Sequence, residues 1–363
     1  MEPPPSNPAA ATSAGGGATT VLAQAPAVAP DDPGDNDLVE IDDDERDFDG
    51  DSALGSEVAS SFTASLNSSV LNYVYENGRR YHAYKSGEYP FPNDEKEQER
   101  EDLKHHVFQL VLNGELILAP ISPNPQRILD IGTGTGIWAI DVADLYPSAE
   151  VYGIDLSPIQ PRWVPPNCSF VIDNVEDEWL YSPSQAFDYI HLRALSGSIK
   201  DWPRLYAQAF QHTKPGGWIE AQDHDVRVSC DDDTINKATE WVNWMTMVNE
   251  AASKFGKILD IGPRQKQWII DAGFVDVHEK VYKVPIGRWP KDKRLKNQGV
   301  YLQALNVEAL EPISMVYFTK VLNMTVEQVH AVLVGPRKDI MNPALHLYIN
   351  FRFIYGRKPT TAT

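Results

Sequence analysis

The spacing of apolar residues changes character at residue 127. From there, short apolar runs alternate with segments whose apolar residues recur every three to four positions. The pattern predicts strands over 127–133, 150–156, 169–173, 187–192, 218–222, 275–285 and 346–355. Helices are predicted between them, over 137–145, 203–213, 234–255 and 264–272. Pro147 stops the first helix, and Lys214-Pro-Gly-Gly217 the second. The first two strands are continuously apolar, which fits central strands covered on both faces. Strands separated by helices predict an α/β fold, a doubly wound and mostly parallel sheet of seven strands.

Two further blocks flank this core. Val70, Leu71, Val74 and Tyr75 have helical spacing and predict a helix over 67–80. Gly78 and Gly87 break the chain around an aromatic stretch, 81–91. A charged helix follows from Asp94 to about Leu112, capped by Asn93, its acids clustered in the first turns as the helix dipole favours. Between the sixth and last strands, 298–307, 313–322 and 326–333 read as helices. The sixth strand should end at the same sheet edge as the first, where ligands bind, so this insertion is expected to roof the cleft. The plan is therefore a tail over 1–59, an N-terminal helical cap over 60–120, an α/β core over 127–292, a helical lid over 293–342 and a last strand over 343–359.

Composition sets the tail apart. Residues 1–37 are mostly Pro, Ala, Gly, Ser and Thr, too little to bury for ordering to be favourable. The first 51 residues hold 13 acids against Arg46 alone, so −12 of the net −19 lies there and −7 in the rest. The tail is expected to be a disordered solvating extension, or an arm for a basic protein such as a histone. No basic stripe offsets phosphate repulsion, so direct nucleic-acid binding is not expected. Cys168 and Cys230 make neither a zinc site nor a disulfide framework, which points to a reducing compartment and no metal. No signal peptide or membrane-length apolar run is seen, so no membrane insertion is expected.

The chemistry concentrates in Arg127-Ile-Leu-Asp-Ile-Gly-Thr-Gly-Thr-Gly-Ile137. A strand runs into Gly132, Gly134 and Gly136, the layout of a nucleotide-type site at the carboxyl end of a first strand. Gly132 and Gly134 allow a tight turn close to a ligand, and Gly136 lets the next helix pack close. A dinucleotide site usually carries G-x-G-x-x-G, but position 137 is Ile. Asp130 would repel a pyrophosphate and attract a cofactor with an ammonium and a sulfonium. The pattern thus favours S-adenosylmethionine over a nicotinamide or flavin. Asp155, closing the second strand, suits bidentate acceptance from ribose hydroxyls. Asp173 and Asn174, closing the third, suit an adenine edge, or cap the next turn.

Glu76-Asn-Gly-Arg-Arg-Tyr-His82, then Gly87-Glu-Tyr89 and Pro92-Asn-Asp-Glu95, extend the comparison. With Pro285-Ile-Gly-Arg-Trp-Pro290 and Tyr355-Gly-Arg-Lys-Pro359, the chain resembles the fungal LaeA-like class I methyltransferases, regulators of secondary metabolism and development. The resemblance covers about 66–359. It implies a Rossmann-like methyltransferase fold with cofactor contacts at Asp130, Gly132, Gly134, Asp155 and the Asp173–Asn174 turn. It also implies that the 76–82 motif folds over the methionine end of the cofactor. Arg79, Arg80 or Tyr81 would then meet the cofactor carboxylate, unless the arginines pair with the acids around Glu95. A velvet-type regulator or a related methyltransferase is the implied partner, and cytoplasm or nucleus the implied location. An intact cofactor site could also serve such a complex without turnover.

Candidates for a base or acceptor contact follow the fourth and fifth strands: His191, Arg193, Glu220, Gln222, Asp223 and His224. His191 is the first choice as catalytic base, because Asp188-Tyr-Ile-His191 should deliver it to the cleft; the competing role is a structural histidine. The Asn-Pro-Pro-Tyr type motif for planar amino groups is absent, and so are the paired glutamates of arginine methylation. A small-molecule oxygen or a protein side chain remains as acceptor.

Overall fold

The computed structural model describes residues 73–85, 87 and 89–360. The predicted tail over 1–59 and the first part of the predicted helix, 67–72, lie outside the described residues. The described residues open with a hairpin, β1 (Tyr73–Glu76) and β2 (Arg79–His82), followed by α1 (Glu95–Leu112). The core then runs β3 (Arg127–Ile131), α2 (Ile137–Leu145), β4 (Glu150–Asp155), β5 (Cys168–Ile172), β6 (Phe187–Arg193), α3 (Trp202–His212) and β7 (Thr213–His224). After it come α4 (Thr239–Lys254), α5 (Gly262–Asp271), β8 (Val275–Pro285), α6 (Lys293–Lys320), α7 (Val326–Ile340) and β9 (Tyr348–Arg357).

Seven strands form one sheet in the order β5-β4-β3-β6-β7-β9-β8, with β9 antiparallel to both of its neighbours. Alternation along β3 divides the core. Leu129 and Ile131 pack with Trp202, Leu205 and Tyr206 of α3 and Ile269 of α5. Ile128 packs on the opposite face with Trp138, Ala139 and Val142 of α2. A third apolar cluster joins α1, α4, α6 and α7 over the ends of β8 and β9, through Phe108, Trp241, Leu310, Phe318, Leu333 and Phe351. This is the roof, and α4 belongs to it rather than to the α/β core where its place in sequence put it.

Four local expectations are corrected. The predicted helix over 67–80 is, in its described part, the β1–β2 hairpin. Asn77 (φ 51°) and Gly78 (φ 75°) both adopt the left-handed region that a two-residue hairpin turn requires. The cap of α1 is Asp94, whose side chain accepts from Glu97 N, while the buried Asn93 donates to Ser157 Oγ. The helices predicted over 298–307 and 313–322 are one helix running through Pro312. Burial of Leu310, Met315, Tyr317 and Phe318 on both sides of the proline offsets the missing hydrogen bond. Lys214–Gly217 does not separate α3 from a strand but lies inside β7. Thr213 pairs with Phe187 and Trp218 with Tyr189, so the intervening residues loop out as a bulge around Gly216 (φ 81°).

Candidate functional site

A cleft lies where the β3–β7 carboxyl ends meet the roof, and Gly132, Gly134, Asp155, Asp173 and Asn174 all line it. Gly134 has φ 59° and only open space where a Cβ would project, so backbone is presented directly to the cleft. Gly136 does a different job. A Cβ there would sit 2.4 Å from Phe170 Cζ, and the residue does not line the cleft. It allows close packing of the turn on β5, not ligand contact.

Asp155 is the best-held polar group at this edge. Its Oδ2 accepts from Gly134 N at 2.8 Å and its Oδ1 from Ser157 N at 2.9 Å. Each oxygen keeps a further acceptor position for a ligand hydroxyl. Burial pushes its pKa up to about 6 against the pull of the two amides, with Glu101 and Asp130 adding to the rise. On β5's exit, Asp173 Oδ1 accepts from Asn174 N at 2.7 Å, and Asn174 Oδ1 from Glu176 N at 3.1 Å. Both residues therefore cap the turn and line the cleft at once.

Asp130 and His191 are placed differently from expectation. Parallel pairing sets them opposite each other on β3 and β6. Asp130 Oδ1 lies 2.7 Å from His191 Nδ1, and Oδ2 accepts from Thr133 Oγ1 at 2.6 Å. The His191 ring is fully buried and stacks on Trp138 at 3.6 Å between centroids. Neither side chain lines the cleft. Asp130 is thus no free attractor for a cation, and His191 is a structural histidine rather than the base. The register that pairs them points both toward α2.

Arg80 and Tyr81 also lie off the cleft. Arg80 bonds the exposed Glu95 and the Asn93 carbonyl, and Tyr81 is buried. Arg79 ties β2 to Asp94 and, at 3.8 and 3.7 Å, to Glu97 and to Glu311 of α6. The wall here comes instead from Tyr89, Phe91, Pro92 and Asn93.

The cleft's cations are Arg100 and Lys104 of α1, Arg193 at the end of β6, and Lys257. Arg193 Nη2 lies 2.9 Å from His105 Nδ1, and His105 Nε2 lies 3.0 Å from Asp141. Burial lowers the Arg193 pKa to about 10. Glu101, also lining, would be raised by burial, but Lys104 and Arg100 outweigh it and hold it down at about 2. Sequence spacing alone did not single out Arg100, Glu101 and Lys104. Their signal was present: charges at i, i+1 and i+4 along one side of a helix.

These residues fit a nucleoside cofactor with an amino-acid end. A carboxylate stands ready for a diol, a Cβ-free loop permits close approach, and mixed charges suit a zwitterion. Beyond this edge the cleft continues between α4 and α6 as an apolar chamber.

Residues 103–279 match the family described as a methyltransferase domain. The chain is 43% identical to methyltransferase pytC of Aspergillus terreus over 81% of this chain and 91% of that protein. It is 37% identical to secondary metabolism regulator LAE1 of Cochliobolus heterostrophus, over 79% and 95% respectively. It is 32% identical to protein-methionine methyltransferase laeA of Emericella nidulans, over 81% and 79%. Among solved structures, phosphoethanolamine N-methyltransferase 2 of Haemonchus contortus is similar at 15% identity and TM-score 0.41, over 82% of this chain and 73% of that one.

Proposed function

Because the chain belongs to the fungal LaeA-like methyltransferases, we propose that it transfers a methyl group from S-adenosylmethionine in the control of secondary metabolism. The observation that carries the cofactor reading is Asp155, fixed by two amides at the tip of β4 beside the open Gly134 loop. Asp155 would hold the ribose hydroxyls, the Asp173–Asn174 turn the adenine edge, and Arg193 the cofactor carboxylate. When bound, the cofactor supplies an electrophilic methyl group on a sulfonium. The chain's own task is to hold an acceptor in line and keep water out. The roof supports the second part of that task, since Trp241, Val248, Leu302 and Leu305 line the cleft and are buried. The regulatory role is supported by the name of the Cochliobolus relative.

Calorimetry with S-adenosylmethionine, S-adenosylhomocysteine and NAD tests the reading. The first two are expected to bind, and tighter binding of NAD would overturn it.

A further inference from the structure

The chamber beyond the glycine loop has mostly apolar walls, though Asn306 of α6 also lines it. Trp241, Trp244, Met245 and Val248 come from α4, Leu302 and Leu305 from α6, and all are buried. Trp241 Nε1–H is buried with no hydrogen-bond partner among the described residues. A sugar or a charged acceptor would lose its hydration here with little in return. A flat apolar body carries little hydration to lose.

A polar group with free capacity is His224, at the carboxyl end of β7 and lining the cleft. Its Nδ1 lies 3.2 Å from the Asp225 carbonyl oxygen. A carbonyl only accepts, so the neutral ring carries its proton on Nδ1 and keeps a lone pair on Nε2. The neighbouring carboxylates are engaged. Asp225 is held by Arg352 at 2.6 Å and by Asn350 at 3.1 Å. Asp223 Oδ1 accepts from His224 N at 2.8 Å and from Ser196 Oγ at 3.3 Å.

We infer that the α4–α6 chamber is the methyl-acceptor site for an apolar, aromatic small molecule bearing an ionisable hydroxyl, and that His224 Nε2 takes the hydroxyl proton. The inference rests on the methyltransferase reading and specifies its acceptor. In the transfer, the acceptor's O–H proton passes to Nε2 as its oxygen forms the new bond to the methyl carbon. The electrons of the broken carbon–sulfur bond stay on sulfur, and the imidazolium later returns its proton to water. His224 is thus a catalytic residue.

The test uses 2-naphthol as the probe, titrated into the full chain saturated with S-adenosylhomocysteine and read by tryptophan fluorescence. Saturable quenching is expected. Ala309→Phe, which fills the chamber, should abolish it, and the milder Leu305→Ser should weaken it several-fold, both at unchanged S-adenosylhomocysteine affinity. With labelled S-adenosylmethionine, 2-naphthol should become its methyl ether. His224→Ala should keep probe binding, slow transfer about 100-fold or more, and recover part of the rate with added imidazole. Asp223→Asn should retain most of it.

Lack of probe binding by a chain that binds S-adenosylhomocysteine overturns the acceptor site while leaving the methyltransferase reading intact. Binding without methylation, label passing to a methionine peptide instead of the probe, or transfer indifferent to His224→Ala each overturns the assignment of the base and acceptor. Failure to bind S-adenosylhomocysteine overturns the methyltransferase reading, and this inference with it.

Discussion

The glycine-loop edge and the helical roof enclose the same cleft but are held by different forces. At the edge, Asp155, Gly134 and Ser157 lie within a short span of β3, β4 and their loops, tied by backbone amides. In the roof, α1, α4, α6 and α7 come from segments far apart in sequence and meet through buried side chains. The edge should therefore be sensitive in ligand affinity and tolerant in stability, and the roof the reverse for residues away from the chamber.

The largest effect should come from the roof. Phe318 of α6 is fully buried, so Phe318→Ala should lower unfolding free energy by about 3–5 kcal/mol. Urea unfolding measures this. Cofactor affinity of the folded protein should change little; a large loss of affinity at modest cost in stability would break the distinction.

His191 comes next, as part of the sheet's interior. His191→Gln leaves Asp130 Oδ1 without its imidazole partner and removes the stack on Trp138. A loss of about 1–3 kcal/mol in stability is expected, with the methyl-transfer rate of the folded enzyme preserved. A collapsed rate at full stability would restore His191 to the chemistry.

Asp155→Ala should show the opposite profile. Cofactor binding should weaken at least tenfold, about 1.4 kcal/mol, with a loss of stability in the unliganded protein well below that of Phe318→Ala. Acidity sharpens this. Burial raises the folded Asp155 pKa to about 6, above its unfolded value, so the folded state takes up its proton first. Its contribution to stability is full below the unfolded value and is lost as pH rises through about 6. Cofactor affinity, which favours the ionised carboxylate, should instead fall as pH drops through that value. Calorimetry between pH 5 and pH 8, run on the wild type and on Asp155→Ala, would show the slope only in the former.

The smallest effect is expected at Arg80. Its partner Glu95 is largely exposed, so Arg80→Ala should cost no more than about 1 kcal/mol and leave cofactor affinity unchanged. A tenfold loss of affinity would place Arg80 at the ligand after all.

The same contrast explains what could be read in advance. The strands from 127 to 285 were legible because short-range periodicity and turn chemistry determine them, and so was the placing of Gly134 and Asp155 at the carboxyl ends of neighbouring strands. Asp130 misled, because a carboxylate's type and position do not reveal which face of a strand it shares with a neighbour; only the β3–β6 register pairs it with His191. The hairpin had a signal that helical spacing masked: Asn77-Gly78 between Tyr- and Arg-rich strands is a primed-turn sequence. The helices read separately over 298–307 and 313–322 join because burial on both sides of Pro312 holds one helix through it, which local spacing does not weigh. The chamber walls of α4 and α6 arise only when distant segments meet, so no window along the chain contained them.

The position of β9 bears on how the molecule is made. It lies between β7 and β8, pairing with both, although it follows them in the chain. A nascent polypeptide that has emerged only through α7 has nothing to fill that gap, and β7 presents an unpaired edge to its surroundings. Completing the sheet must await the emergence of Tyr348–Arg357, and a product truncated before Tyr348 should be prone to aggregate.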